Sequence, residues 1–358
     1  MFDAKAIDLF CGAGGLTHGL QRAGIKVVAG YDIEAQCRYA YEKNNDAVFI
    51  QKSVTDIKPE ELEHHYGDSP IRILAGCAPC QLFSSYNKKS KEENQKDERW
   101  SLLTSFGEHI KSVKPEIVTM ENVPRLVNHR VFHDFIDMLY SEGYKVSFKV
   151  VYCPDYGMPQ SRSRLVLLAS LLGDISLIDP THNKENYLTL RDAIGHLPKL
   201  SAGEIHPLDT LHRAAALSEV NMKRMLASTP GGTWKDWPEH LIAQCHKKST
   251  GSSYLGVYGR MSWDKVSSTI TTQCIGFGNG RFGHPEQHRA ITLREAAIIQ
   301  TFPDDYSFWP EHLKLEMRPV AKMIGNAVPV RLGEVVGKSI HKHLLEKNNN
   351  GEQNVRRL

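Results

Sequence analysis

The sequence predicts an α/β fold: a Rossmann-like domain with a mostly parallel sheet, plus a smaller loop-rich domain. Three observations predict it. Short apolar runs alternate with helical stretches in the first half of the chain, as in parallel strands joined by helices. A glycine-rich turn links the first run to the first helix. Polar or reactive side chains follow several runs, and the carboxyl ends of parallel strands are where ligands collect.

Length and composition set the class of protein. The chain has 358 residues, of which 41% are hydrophobic and 24% charged, as in a soluble globular protein large enough for two domains. A net charge of +3 means that nucleic-acid binding would require a local basic face. Seven cysteines without framework spacing indicate a reducing compartment. The longest largely apolar stretch, residues 165–172, is far shorter than the ~20 residues of a membrane span. We therefore expect a cytoplasmic protein with no membrane association.

The first elements predict a nucleotide-type site. They are a strand over 5–10, a turn over 11–15, a helix over 16–23 that Gly24 can cap, and a strand over 27–31. Asp32 closes the second strand about 20 residues after the glycines, where a carboxylate can bind ribose hydroxyls. Glycine-rich turns can also serve only to turn the chain. The spacing differs from Gly-x-Gly-x-x-Gly and no Lys-Ser/Thr follows, so an adenosyl ligand without pyrophosphate is favoured over NAD or ATP.

A predicted helix over 34–43 and a short strand over 48–50 lead to Asp56 and Ile57. A loop Asp-Ile after a third strand is a plausible contact for the edge of an adenine. The same residues are equally well explained as a helix cap, and the sequence leaves both interpretations open.

Cys80 follows a short buried strand predicted over residues 71–75. A thiol at a strand end, preceded by Pro79 and followed by a polar loop, is placed as a nucleophile would be. Alternatives are a packing cysteine, or a metal or redox pair with Cys77. Zinc requires four ligands and the chain has no second Cys-x-x-Cys, so no metal is expected. Cys77 is expected to pack against the sheet. The polar run over 86–100 is either a solvated face or a mobile lid.

Further strands are predicted over 116–120, 146–153 and 165–169. Glu121 directly follows the first of them, so its carboxylate is the second half of a catalytic pair with Cys80. Arg162 and Arg164 alternate in an extended segment, which predicts that both guanidiniums lie on one face. A plain surface ladder of charges would give the same spacing.

The alternation of strands and helices lapses near residue 179. Residues 180–285 are rich in Gly, His, Pro, Ser and Trp, and helical periodicity returns at 293–300 and 330–345. We predict a catalytic domain from residues 1–178 plus 318–358, and a small domain and hinge from 179–317. Trp234 and Trp237 are either exposed aromatics that contact bases or part of the small domain's core. Residues 348–358 are expected to form a frayed polar tail.

Six motifs in order resemble the cytosine-5 DNA methyltransferase family over nearly the whole chain. They are Asp8-Leu-Phe-Cys-Gly-Ala-Gly-Gly15, Pro79-Cys80-Gln81, Glu121-Asn122-Val123, Gln160-x-Arg162-x-Arg164, Arg294-Glu-Ala-Ala-Ile-Ile-Gln300 and Gly325-Asn326-Ala327-Val328. The resemblance implies S-adenosyl-methionine as cofactor and S-adenosyl-homocysteine as product. The residues it implies for the cofactor are Phe10, Gly12, Gly14, Gly15, Asp32, Ile33, Asp56, Ile57 and Asn326.

The resemblance also implies a mechanism. Cys80 would add to carbon 6 of a flipped-out cytosine, and Glu121 would hydrogen-bond the ring at N3 and the exocyclic amine. Arg164, with Arg162 nearby, would hold the O2 side and help to keep the thiol ionised. The residues implied for the loop that closes over the base are Gln81, Ser84, Arg99 and Asn122.

Other functions were weighed against these motifs. A tRNA-methylating branch shares the core, but its Cys-Phe-Thr signature is absent and the long recognition region fits duplex DNA better. An inactive DNA-binding module would have lost Cys80 or Glu121. A thioredoxin-like protein would leave the remaining motifs unused. The expected partners are double-stranded DNA and a cognate restriction endonuclease that acts separately, with a monomeric, nucleoid-associated enzyme. The recognition sequence cannot be predicted.

Overall fold

A computed structural model describes residues 3–79 and 99–355, with side chains for 3–79 and 102–348. In this part of the chain the strands, in order, are β1 (Ala4–Leu9), β2 (Lys26–Asp32), β3 (Val48–Gln51), β4 (Ile71–Gly76), β5 (Ile117–Asn122), β6 (Lys145–Tyr152), β7 (Gln160–Ser161), β8 (Ser163–Ser170), β9 (Ile205–His206), β10 (Asp209–Arg213) and β11 (Ser267–Ser268). The helices are α1 (Gly15–Arg22), α2 (Cys37–Asn44), α3 (Pro59–Tyr66), α4 (Arg99–Val113), α5 (Arg130–Ser141), α6 (Leu190–Ile194), α7 (Glu219–Ala227), α8 (Gln244–Lys247), α9 (Leu293–Ile299), α10 (Met317–Asn326) and α11 (Val330–Val355).

The chain divides into two compact units. The first contains Met1–Tyr152, Ser163–Pro180 and Val328–Leu358, and the second contains Cys153–Arg162 and Thr181–Ala327. These bounds differ from the predicted division at residues 153–162 and 318–327. Helix α10 groups with the second unit because Gly325 lies directly against backbone there: an added Cβ would come within 2.2 Å of the carbonyl carbon of Thr271. Which unit catalyses and which recognises DNA stays a prediction.

The first unit contains a seven-stranded sheet in the order β3-β2-β1-β4-β5-β8-β6. Strands β3, β2, β1, β4 and β5 pair in parallel, and β8 runs antiparallel to both β5 and β6. The predicted α/β class with a mostly parallel sheet is therefore confirmed. Because β2 and β3 lie on one side of β1 while β4 and β5 lie on the other, the winding reverses between β1 and β4.

Buried apolar side chains explain why these segments are strands and helices. All six residues of β5 are buried, as expected for a central parallel strand covered on both faces. Helix α5 turns Phe132, Phe135, Ile136 and Leu139 inward at helical spacing. These side chains join one core cluster with residues of β1, β4 and β8.

Helix α11 packs closely on α1 within the first unit. A Cβ added at Gly19 of α1 would lie 2.3 Å from the carbonyl oxygen of Val330 and 2.5 Å from the nitrogen of Glu334. The glycine therefore lets the two backbones approach more closely than any side chain would permit. Helix α11 was predicted to end at residue 345, but it continues to Val355. The fraying of residues 348–358 stays a prediction.

The second unit has short strands in two-stranded pairs, β9 with β10 and β7 with β11, and much of its chain is loop. Trp234 and Trp237 are each 5% exposed and pack in a cluster with Met225 and Phe277. The Nε1 of Trp234 donates to a backbone carbonyl, and that of Trp237 donates to a serine hydroxyl. The interpretation of these two tryptophans as exposed base contacts was wrong, and they form the core of this unit.

No helix among residues 3–79 and 99–355 is both long and apolar enough to cross a membrane.

Candidate active site

The carboxyl ends of β1, β4 and β5 lie at one edge of the sheet. Leu9 of β1 pairs with Gly76 of β4, and β4 pairs in turn with β5. From this edge the chain continues into the glycine-rich turn after β1 and the Cys77 segment after β4, and β5 ends there with Glu121 and Asn122. Since the winding reverses between β1 and β4, this is the edge at which an open α/β sheet binds its ligand.

The turn between β1 and α1 adopts a left-handed backbone at three residues. The φ angles are 62° at Phe10, 53° at Gly12 and 90° at Gly14, and α1 begins at Gly15. Glycine tolerates this conformation, whereas it is uncommon for a residue such as phenylalanine. A Cβ added at Gly12 would meet no atom within 4 Å, so the space beside the turn is open. The four predicted turn residues thus lie together around an open concave backbone.

Asp32 connects the end of β2 to this turn. Its Oδ2 accepts a hydrogen bond from the Gly12 nitrogen at 2.8 Å, and its Oδ1 accepts one from the Glu34 nitrogen at 2.9 Å. Burial raises the pKa of Asp32, against the effect of these two bonds. The neighbouring Ile33 is an apolar side chain that is 64% exposed, as a residue facing a planar ring would be.

The second predicted adenine contact, Asp56 and Ile57, is divided between surface and core. Asp56 ends a 3-10 turn (Val54–Asp56) with its side chain exposed. The side chain of Ile57 is 5% exposed and belongs to the main core cluster. Only Asp56 presents its side chain to solvent.

Asp8, which had no predicted role, is a buried carboxyl group two residues before the turn. It is 1% exposed, and its Oδ2 accepts a hydrogen bond from the Thr17 hydroxyl at 2.7 Å. Its Oδ1 has no hydrogen-bond partner among the described residues. Burial raises the pKa of Asp8 to about 7. An acidic residue within an otherwise apolar strand was the signal that could have identified it.

Glu121 is buried between a thiol and a guanidinium. The side chain is 5% exposed, and its Oε2 accepts a hydrogen bond from the Cys77 thiol at 2.8 Å. The Nε of Arg164 lies 2.6 Å from Oε1. That contact is an ion pair by distance, but Oε1 receives no aligned hydrogen bond. Arg164 also donates to the carbonyl of Ser163. Glu121 and Arg164, two of the predicted catalytic residues, therefore lie together in the first unit.

Cys77 is half-buried, and its thiol contacts a residue of the sheet, Glu121 of β5. Asn122 is buried, and its Nδ2 donates to the carbonyl of Ala78 at 3.1 Å. Three predicted site residues lie outside the described part of the chain: Cys80, Gln81 and Ser84. Arg99 begins α4, and its side chain is likewise not among those described.

Arg162 and Arg164 do not share one face of a strand, contrary to the prediction. Strand β8 begins at Ser163, and Arg162 belongs to the second unit. The Arg162 side chain is 4% exposed and its Nη1 donates to the carbonyl of Ile270 at 3.1 Å. The extended segment is interrupted at Arg162, between the end of β7 and the start of β8. The alternating spacing of the two arginines therefore did not determine where each guanidinium points.

A buried hydrogen-bond network joins three of the sequence motifs within the second unit. Gln160 donates to the side-chain oxygen of Gln300 at 2.6 Å. Gln300 donates in turn to the carbonyls of Ile324 and Ala327 at 2.7 and 3.3 Å. Asn326, the predicted cofactor residue of this region, is exposed at the end of α10.

An ion pair at the start of α9 also stabilises the second unit. Arg289 and Glu295 are 0% and 1% exposed and form two parallel hydrogen bonds of 2.7 Å. Burial alone would raise the pKa of Glu295, but the bonds from Arg289 hold it below its ordinary value. Glu295 also caps α9 by accepting from the Thr292 nitrogen. The acidic residue of this motif is therefore structural.

Comparison with protein families gives one match over most of the chain. Residues 4–342 match the family described as C-5 cytosine-specific DNA methylase. A Type II methylase from Herpetosiphon aurantiacus, M.HgiDII, is 54% identical over 341 residues, which cover 94% of this chain and 95% of that protein. The Type II methyltransferase M.Eco47II from Escherichia coli is 34% identical over 357 residues, covering 96% of this chain and 80% of that protein.

Solved structures share the fold at low sequence identity. A prophage-encoded methyltransferase from Escherichia coli superimposes with a TM-score of 0.73 at 21% identity, covering 95% of this chain and 99% of that one. The Dnmt2 methyltransferase of S. pombe superimposes with a TM-score of 0.60 at 16% identity, covering 96% and 99%.

Proposed function

The chain belongs to the C-5 cytosine-specific DNA methylase family and is a DNA cytosine-5 methyltransferase, and we propose that it methylates a flipped-out cytosine within a specific DNA sequence through Cys80, Glu121 and Arg164. The alternative of an RNA methyltransferase is not favoured, because the matching family and the Type II relatives are described as DNA enzymes. A base inside the duplex cannot be reached by a nucleophile on the protein, so the target cytosine leaves the stack before it reacts.

The buried carboxylate of Glu121 is the observation that carries this proposal. It lies at the sheet edge where ligands bind. It accepts a hydrogen bond from Cys77, which precedes Cys80 by three positions in the sequence. Arg164 compensates its charge, and the Oε1 without an aligned hydrogen bond can still accept one from a ligand. A buried carboxylate with unused acceptor capacity suits the polarisation of a flipped base.

The chemistry requires both groups. Carbon 5 of cytosine is a poor nucleophile, so the Cys80 thiolate adds to carbon 6 and a carbon–sulfur bond forms, which makes carbon 5 electron-rich. Glu121 accepts a hydrogen bond from the exocyclic amine and, in its protonated form, donates one to N3, and these bonds stabilise the negative charge that addition creates. Arg164 holds the O2 side. After methylation the proton on carbon 5 leaves to water, the carbon–sulfur bond breaks, and its electron pair returns to sulfur as thiolate.

The residues of the first unit fit S-adenosyl-methionine, which supplies an electrophilic sulfonium methyl group when bound. The open left-handed turn at Gly12 lets a ligand approach the backbone closely. The carboxylate of Asp32 is placed to accept from ribose hydroxyls while it holds Gly12. The exposed side chain of Ile33 offers an apolar surface to adenine, and Asp56 an acceptor for its amine. Asn326 is proposed as a further contact.

The second unit is proposed to read the DNA sequence, and exposed basic side chains to neutralise phosphates. Its loops carry exposed polar residues on a core of buried aromatics, and such loops can vary without loss of the fold. Relatives named as Type II methylases support a restriction-modification role, in which a cognate endonuclease acts separately. We propose that the enzyme is monomeric and acts in the cytoplasm, associated with the nucleoid.

Two consecutive experiments test the proposal. Bisulfite sequencing of a plasmid from a host expressing the gene should show one methylated cytosine in one sequence context. A duplex with 5-fluorocytosine at that position should then trap the protein in a denaturant-resistant adduct when S-adenosyl-methionine is added, because fluorine cannot leave as a cation. Cys80→Ala should form no adduct but still bind the duplex, and Glu121→Gln should trap more slowly. An adduct with Cys80→Ala, or a plasmid without 5-methylcytosine, would contradict the proposal.

A further inference from the structure

We propose that Cys77 is a positioning residue for methylation: its thiol holds the carboxylate of Glu121 in the orientation in which that group can serve the target base. This inference rests on the proposed function of Glu121. It concerns a thiol that the sequence indicated only as packing or as half of a metal or redox pair, and that takes no part in the covalent chemistry assigned to Cys80.

Among the described residues, each oxygen of Glu121 lies within contact distance of one polar group. The thiol of Cys77 donates to Oε2 at 2.8 Å, and Nε of Arg164 lies 2.6 Å from Oε1. Each carboxylate oxygen has two acceptor positions, so a ligand can still be bound by either. The side chain is 5% exposed, and water therefore does not compete freely for these positions. The two protein contacts together fix the plane of the carboxylate.

The contact between Cys77 and Glu121 follows from strand register. Gly76, the last residue of β4, pairs with Met120 of β5, so the next residue on each strand lies beside its counterpart. The following pair is also joined, because Asn122 donates to the carbonyl of Ala78. Glu121 lies on β5 and Cys77 directly follows β4, so two adjacent parallel strands position both groups, and a site held by such elements is more precise than one on a free loop.

Loss of the thiol would leave the carboxylate with one partner. The terminal torsion of glutamate is broad, so Glu121 could rotate until both oxygens face Arg164 as a bidentate ion pair. Both acceptor oxygens would then be engaged away from the base. We expect Cys77→Ala to lower kcat by about fivefold to tenfold, the effect of one modest hydrogen bond realised in the transition state. Affinity for S-adenosyl-methionine should stay within about twofold, because the cofactor residues do not include Glu121, and KM for DNA should also stay within about twofold, because Glu121 contacts only one base of the duplex.

The test measures methyl transfer to a duplex by Cys77→Ala, Cys77→Ser and a control, Cys37→Ala, which removes a buried thiol of the same unit at the start of α2. Cys77→Ser keeps a donor and should recover at least half of the wild-type kcat. Cys37→Ala should match the wild type. In a Glu121→Ala background, where the acceptor is gone, Cys77→Ala should change the single-turnover rate by less than about twofold.

Two results would overturn the inference. Equal kcat for Cys77→Ala and wild type would show that the thiol does not matter, and a full additional loss in the Glu121→Ala background would show that it acts elsewhere. A variant that folds poorly is recognised by weak binding of S-adenosyl-homocysteine, and the serine variant then decides: low kcat with normal binding contradicts the proposal. These outcomes are distinct from failure of the proposed function, in which the wild-type enzyme itself would not methylate the duplex or form the fluorocytosine adduct.

Discussion

Gly19→Ala should destabilise the protein through the crossing of α1 and α11. The new Cβ would lie 2.3 Å from the carbonyl oxygen of Val330, about 1 Å inside ordinary contact distance, and 2.5 Å from the nitrogen of Glu334. Both are backbone atoms, so no rotamer change relieves the overlap and the helices must separate. Overpacking of this kind costs about 1–3 kcal/mol, and the contact with rigid backbone argues for the upper end. The better helix propensity of alanine returns at most about 1 kcal/mol.

We therefore expect a net loss of about 2 kcal/mol in the free energy of unfolding, measured by urea denaturation followed by circular dichroism. Gly333→Ala should be milder, because its Cβ would meet the carbonyl oxygen of Leu16 at 2.9 Å. Gly256→Ala is the control, since nothing lies within 4 Å of its Cβ position. An unfolding midpoint for Gly19→Ala equal to that of the control would refute the reasoning.

Three further predictions concern charge and recognition. Asp32→Ala should weaken binding of S-adenosyl-methionine by about 1.5–3 kcal/mol, the worth of a hydrogen bond to a charged group, and unchanged affinity by calorimetry would remove Asp32 from the site. Burial raises the pKa of Asp8 from 3.8 to about 7, so the stability that this group contributes is complete below pH ~4 and is lost as pH rises through about 7. Asp8→Asn should flatten the dependence of the free energy of unfolding on pH between pH 5 and 8, measured by urea denaturation. Equal slopes for the variant and the wild type would contradict this prediction. Asn279 has an exposed side chain, so Asn279→Ala should relax the sequence preference and leave cofactor affinity intact, as bisulfite sequencing would show. Phe277 is 2% exposed in the core, so Phe277→Ala should cost about 3–5 kcal/mol of stability in thermal unfolding. Lost cofactor affinity with retained sequence preference in Asn279→Ala would contradict the assignment of the second unit to DNA recognition.

The strands of the sheet could be predicted because buried parallel strands have continuous apolar sequences. Residues 116–120 were predicted as a strand, and the structure has β5 at Ile117–Asn122. Helix α5 was not predicted, although its inward side chains have helical spacing. Helix α2 begins at Cys37, three residues later than predicted. Its exposed polar residues give little signal for a boundary, because such residues are compatible with either a helix or a loop.

The contacts of the site could not be predicted from spacing. Cys77 reaches Glu121 because β4 and β5 are adjacent and in register, which is a property of the sheet and not of either segment. The side chains of Arg162 and Arg164 have different partners because the extended segment is interrupted at Arg162, between β7 and β8. Trp234 and Trp237 are apolar enough for a core and polar enough for an interface, so composition alone left their position open.

The network of Gln160 and Gln300 limits how specificity can be exchanged between related enzymes. The two side chains are 140 residues apart in sequence, and Gln300 also holds the backbone before α11. In a chimera whose single crossover point lies between residues 160 and 300, Gln160 would come from one parent, and Gln300 with the backbone carbonyls it binds would come from the other. Grafts confined to residues 214–266, between β10 and β11, leave Gln160, Gln300 and the Ile270 nitrogen that donates to Gln160 in one parent. Recombination in that interval should therefore yield folded hybrids more often than joints placed within the motifs themselves.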